Sequence, residues 1–185
     1  MIAPFICTSK SGKKIECRTP TLADTELMRD YINTLSMERT FIRFQGEQVS
    51  YEDELGYVTH QLQQIQEHRG ILLLAFHGEK LVGISGIDMS DKTERHIGLF
   101  GISIAKEYRG DGIGMYLMQH TLNEAVRTIP SLEIVTLYYF SHNSGGEAMY
   151  RKLGFVQCGV LPRGTKLERG YADHVMMYKT VRDLD

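Results

Sequence analysis

The chain has 185 residues, a formal net charge of −2, 42% hydrophobic and 24% charged residues, the profile of a soluble globular protein long enough to form one domain over residues 1–185. Near-neutral charge without basic runs excludes a protein that binds nucleic acid by neutralising phosphates in bulk. The first apolar run, Ala3 to Cys7, is too short for a signal peptide or a membrane span, which points to a cytoplasmic protein.

Residues 4–19 read as a hairpin: Phe5 to Cys7, a Ser11-Gly12-Lys13 turn, then Lys14 to Arg18 with polar and apolar residues alternating. Cys7 and Cys17 flank the turn and can face each other, but a reducing compartment keeps them as free thiols. With Cys158 they show no C-x-x-C spacing, and the scattered histidines have no ligand spacing, so no metal is expected. After Thr19-Pro20-Thr21 a helix runs to about Ser36, with Met28, Tyr31, Ile32 and Leu35 on one face. Met37 to Val49 has no period and reads as a loop. Ser50 opens a second helix with Asp53 at the capping spacing, a stripe of Tyr51, Leu55, Val58, Leu62 and Ile65, and an end at Gly70.

Ile71 to Phe76, Leu81 to Asp88 and Ile97 to Ala105 then form a three-stranded meander, the last so apolar that it reads as buried on both faces. Next comes Arg109-Gly110-Asp111-Gly112-Ile113-Gly114, followed by Met115, Met118, Leu122, Ala125 and Ile129 along one helix face up to Pro130. Alternating glycines at a helix start let a ligand approach the free backbone N–H groups, the pattern of an anion site, most often for phosphate. Glu133 to Phe140 should return parallel to the preceding strand. Ser144 starts a short helix with Glu147 at the capping-box spacing, Gly154 closes it, and strands near 155–163 and 171–180 are joined through Leu167-Glu168-Arg169-Gly170.

Arg109-x-x-Gly112-x-Gly114, placed between a strand and a helix, resembles the pyrophosphate-binding motif of the GNAT superfamily of acyl-CoA-dependent N-acetyltransferases. Asn143, followed seven residues on by Tyr150-Arg151-Lys152-Leu153-Gly154-Phe155, is similar to that family's N-x₆-Y-x-K-x-G-F signature. The order of elements also fits from Ile15 onward, leaving the first strand, about residues 3–9, as an extra.

The resemblance implies a mixed α+β fold: a central, mostly antiparallel sheet with one splayed parallel pair, flanked by helices. It implies acetyl-CoA as cosubstrate, no metal, and a small-molecule or peptide primary amine as acceptor. The amine attacks the thioester directly in a ternary complex. Neither nucleic acid nor membrane is a partner, and homodimerisation is left open. The cofactor residues it implies are Ile102, Ser103 and Ile104 for the pantetheine, Arg109, Gly110, Asp111, Gly112, Ile113 and Gly114 for the pyrophosphate, and Asn143. Tyr150 matches the tyrosine that protonates the departing thiolate.

The base does not carry over. The strand 97–105 holds no acid, and Tyr138 stands at the other usual position. Either water chains remove the proton or another group does so, with Glu38, His96 and His142 as the candidates. Glu38 and Phe41, with Phe44 nearby, suit an ammonium ligand on the loop. Glu47, Glu52, Asp53 and Glu54 either form an acidic mouth for a cationic amine or complement the helix dipole. Asp173, with Tyr171 and His174, either borders the acceptor pocket or serves a turn. A non-catalytic acyl-CoA sensor is the alternative reading, and a nucleotide module unrelated to CoA is a weaker one.

Overall fold

Six apolar residues without polar alternation, Ile71 to Phe76, make a strand that must be covered on both sides, and it sits at the centre of the first of two compact units. The computed structural model describes residues 3–168 and 170–182. One unit comprises Met1–Asp88 with Gly101–Pro130, the other Met89–Phe100 with Ser131–Asp185.

In the first unit β1 (Phe5–Thr8) and β2 (Lys14–Arg18) form the expected hairpin. β2 pairs antiparallel with β3 (Gly70–His77), and β3 with β4 (Lys80–Met89). Helices α1 (Thr25–Met37) and α2 (Tyr51–Gln66) flank an irregular loop, and α3 (Ile113–Thr128) follows the glycine-rich turn. Alternation along β4 puts the helices on opposite faces. Ser85 lies 2.9 Å from the Thr121 hydroxyl of α3, while Asp88 accepts a 2.9 Å hydrogen bond from Gln61 of α2. Leu73 and Leu74 of β3 point to opposite sides and are both fully buried, each side chain contributing about 1.5–3 kcal/mol.

In the second unit the first residues of β5 (Ile97–Ile104) pair parallel with β6 (Ile134–Phe140), from Ile97↔Ile134 to Leu99↔Thr136. β6 pairs antiparallel with β8 (Gly170–Thr180), and β8 with β7 (Val156–Leu167). Helix α4 (Ser144–Lys152) links β6 to β7 in the chain. The hydrogen-bonded strand orders are β1-β2-β3-β4 and β5-β6-β8-β7, with β5–β6 as the parallel pair. This is the expected mixed α+β class, mostly antiparallel with flanking helices.

Several local expectations need correction. α2 ends at Gln66 and His68 takes the left-handed turn (φ 56°), so Gly70 begins β3 instead of ending the helix. The buried face of α2 is Glu54, Val58 and Gln61, with Tyr51 exposed. β5 is not buried on both faces, since Leu99 is 44% exposed. The cap of α4 is Asn143, one residue before Ser144. β7 continues past 163 because Pro162 to Gly164 form a bulge, which Asp173 holds by accepting from the Arg163 amide at 2.8 Å. That assigns Asp173 a backbone-holding role. Arg169, in the expected turn, lies outside the described residues. Cys7 pairs with Ile15 and Cys17 with Phe5, so the two free thiols are diagonal neighbours and not directly opposed. Among the described residues, no helix is long and apolar enough to cross a membrane.

Candidate active site

The turn before α3 is shaped by its glycines. Gly110 (φ 77°) and Gly112 (φ 86°) both occupy the left-handed region, where a side chain is strained. Gly112 is the N-cap of α3 and offers no side-chain hydrogen bond. The first intrahelical bond runs from the Tyr116 amide to the Gly112 carbonyl, which leaves the amides of Ile113, Gly114 and Met115 outside the ladder. A bare helix start of this kind carries about half a positive charge and several aligned donors. A Cβ on Gly112 would come within 3.3 Å of Lys10 Cγ.

The other side chains of the motif hold the turn in place. Asp111 accepts from the Ser11 amide (2.8 Å), the Ser11 hydroxyl (2.6 Å) and Lys13 Nζ (3.0 Å), and its carbonyl accepts from the Lys10 amide. The Ser11 hydroxyl, then Lys13, keep this carboxyl well below the usual carboxylate range. Arg109 donates from Nε to the Ile104 carbonyl (2.8 Å), and its Nη2 lies 2.7 Å from Glu38 Oε2. Its charge is therefore turned onto Glu38 and the end of β5, and Glu38 is a partner of Arg109.

Lys10 was missed by sequence reasoning. The first strand looked like an extra, yet its turn packs against Asp111 and Gly112, and the lysines of Ser9-Lys10-Ser11-Gly12-Lys13-Lys14 were the available signal.

Along β5 the Ala105 amide donates to the Val82 carbonyl of β4 at 2.9 Å. Alternation then turns the backbone groups of Ile102 and Ile104 away from β4. Arg109 takes the Ile104 carbonyl. Ser103 Oγ lies 3.1 Å from the hydroxyl of Tyr31, whose phenol burial pushes up, so it stays neutral.

Ile102 and Ser103 form part of the lining of a cavity of about 610 Å³, within the range of small-molecule sites. The loop contributes Phe44, while Phe41 is 40% exposed and lies outside the lining, as does Glu38. Helix α2 contributes Asp53, Glu54 and Tyr57. The acidic cluster is thus divided by helix geometry: Glu52 is exposed while Glu54 turns inward.

In the second unit Asn143 Oδ1 accepts the Gly146 amide at 3.0 Å and so caps α4. Tyr150 occupies the last turn and is 7% exposed. Its ring lies 5.7 Å from that of Tyr139 and 6.5 Å from that of Phe155. The Phe155 amide bonds the Tyr150 carbonyl and the Gly154 amide bonds that of Arg151, a Schellman closure with Gly154 left-handed (φ 86°). The spacing of Tyr150, Gly154 and Phe155 follows from that helix end. Burial, then the charge of Tyr139, push the Tyr150 phenol up to about 12, so it is a neutral donor at pH 7. His96 sits at the start of β5, its carbonyl accepting from Glu133 and Ile134; the His142 ring lies 6.1 Å from that of Phe140. Among the described residues, no group of three or more His, Cys, Asp or Glu is placed to hold a metal.

Residues 30–155, more than half of the chain, match the family model described as Acetyltransferase (GNAT) family. No curated protein matches the chain. Among solved structures it is similar to an acetyltransferase of the GNAT family from Streptococcus pneumoniae, at 26% identity and TM-score 0.83, covering 91% of this chain and 99% of that one. YncA from Salmonella typhimurium, solved with its cofactor acetyl-CoA, is 16% identical with TM-score 0.81, covering 92% and 96%. Ribosomal-protein-alanine N-acetyltransferase from Brucella melitensis is 21% identical with TM-score 0.76, covering 89% and 99%. The last two likenesses concern the fold.

Proposed function

Since the chain belongs to the GNAT family of acetyltransferases, we propose that it transfers the acetyl group of acetyl-CoA to a primary amine of a small molecule or peptide, by direct attack in a ternary complex. The observation that carries this reading is the bare start of α3 behind the left-handed Gly112. The amides of Ile113, Gly114 and Met115 are suited to a pyrophosphate without a metal, and Lys10, beside Gly112, adds a nearby cation. Gly110, Asp111 and Arg109 shape that seat, the latter two through Ser11, Lys13 and Glu38. The Ile102 backbone turns away from β4 and is suited to hold a pantetheine amide like an added strand, with Ser103 and Ile104 beside it.

The thioester supplies an acyl carbon open to attack and a thiolate as leaving group. Tyr150 is proposed as the donor that protonates this thiolate, supported by its place in the motif and by burial that keeps its proton on. Asn143, whose Oδ1 is taken by its cap, keeps an amide NH₂ for the cofactor.

The test is thiol release from acetyl-CoA against a panel of amines, from neutral to alkaline pH because an ammonium must lose a proton before attack. Amine-dependent release, rising with pH, is expected. Acetyl-CoA binding without release for any amine would instead favour a non-catalytic sensor, and no binding would refute both.

A further inference from the structure

One acid in the first unit has no explained role. Glu54 is 6% exposed and lines the cavity that Ile102 and Ser103 also line; its amide donates to the Ser50 carbonyl, but its carboxylate makes no hydrogen bond or ion pair among the described residues. The other two carboxylates of that lining are already engaged. Asp53 accepts from the Ser50 hydroxyl at 2.8 Å, and Asp88 from Gln61 Nε2 at 2.9 Å. Among the described residues no lysine, arginine or histidine lines the cavity. The Glu54 oxygens are not sealed in the protein but open to the cavity, and a carboxylate in so shielded a place is favoured when a cation or a proton joins it.

The rest of the lining says what the cation is attached to. Ile32, Val49, Leu72 and Ile84 give apolar walls, and Phe44 and Tyr57 add aromatic faces that favour both a cation and a flat apolar group. A carboxylate on the ligand would meet three acids and no base.

We propose that Glu54 receives and deprotonates the acceptor amine, and that the acceptor is a cationic amine on an apolar or aromatic body with no carboxylate beside it. This rests on the acetyl-transfer reading above and supplies the base missing from β5. The Glu54 carboxylate takes a proton from the ammonium, and the freed nitrogen pair forms the C–N bond at the acetyl carbon. The C–S bond breaks, and the sulfur leaves with its electron pair and gains a proton as the coenzyme thiol. The second ammonium proton is released, giving a neutral amide. Burial pushes Glu54 up from the usual carboxylate range, toward the pH at which a base works best. Asp53, Asp88 and Tyr57 share the lining with it, and burial first, then the charges of Asp88 and of Glu54 itself, push the Tyr57 phenol up so that it stays neutral.

The experiment measures thiol release with phenethylamine and with phenylalanine, for the parent protein, Glu54→Gln and Glu54→Asp, alongside calorimetric affinity for acetyl-CoA. The parent should favour phenethylamine by roughly a hundredfold in kcat/KM, from like-charge repulsion of the phenylalanine carboxylate. Glu54→Gln should lower kcat/KM for phenethylamine by roughly 100- to 1000-fold and remove the acid limb of its pH profile, with acetyl-CoA affinity unchanged. Glu54→Asp should restore part of the rate and the acid limb. Folding raises this pKa, so the carboxyl favours the folded state only while protonated, and that benefit is lost as pH rises through the folded value. At pH 7 Glu54→Gln should therefore be at least as stable as the parent.

A Glu54→Gln enzyme with the parent's rate and pH profile would overturn the role of Glu54, as would a Glu54→Asp enzyme no faster than Glu54→Gln and equally without the acid limb. Equal use of phenylalanine, or acetyl-CoA binding with neither amine acetylated, would overturn the substrate class. A parent that binds no acetyl-CoA would refute the acetyl-transfer reading itself.

Discussion

Two helix starts, one in each unit, are built in opposite ways. α4 begins at Asn143, whose side chain bonds the Gly146 amide and closes the end on itself. α3 begins at Gly112, left-handed and without a capping side chain, and keeps its first amides open. α2 follows the α4 pattern, with Ser50 Oγ accepting the Asp53 amide at 3.1 Å. A capped start contributes about 1 kcal/mol of stability, and α3 forgoes it. Its turn is secured from outside the helix, by Asp111 on Ser11 and Lys13 and by Arg109 on Glu38 and Ile104. The difference separates a helix end that serves the fold from one kept available for an anion.

Gly112→Val should break the contrast most severely. A β-branched residue in the left-handed region is strained and crowds Lys10, so acetyl-CoA affinity by calorimetry should fall ten- to a hundredfold, about 1.4–2.8 kcal/mol. Tyr150→Phe tests the far end of α4. The ring contacts to Tyr139 and Phe155 survive, so Tm and acetyl-CoA affinity should hold while kcat drops by roughly tenfold or more; an unchanged kcat would remove the proton-donor role. Ser50→Ala should show what an ordinary cap does, costing about 1 kcal/mol and lowering Tm by about 2–4 °C with acetyl-CoA affinity unaltered. Asp111→Asn should have the smallest effect. The folded pKa of Asp111 is depressed, so its contribution is present above the unfolded value near 4 and lost as pH falls through the folded one. The variant's small deficit in Tm at pH 7 should therefore fade in melts carried below pH 4.

Local chemistry made much of this legible in the sequence. The unbroken apolar run of β3, the Ser50 cap, the alternate glycines from Gly110 to Gly114 and the closure at Gly154 all act over a few residues. What stayed hidden depends on contacts far apart in the chain. Asp111 meets Ser11 across 100 residues, and neither periodicity nor motif spacing pairs Arg109 with Glu38. Glu54 was hidden for a different reason. The apolar stripe placed Tyr51 and Leu55 inward, and an acid in the first turn of a helix already has an explanation in the dipole. Only the rotation of α2, which buries Glu54, Val58 and Gln61, brings that carboxylate into the cavity.

The open start of α3 is best tested by amide NMR during a titration with acetyl-CoA. The account predicts that the backbone N–H signals of Gly112, Ile113, Gly114 and Met115 shift strongly and saturate together. Saturating acetyl-CoA that leaves those four signals in place would contradict it.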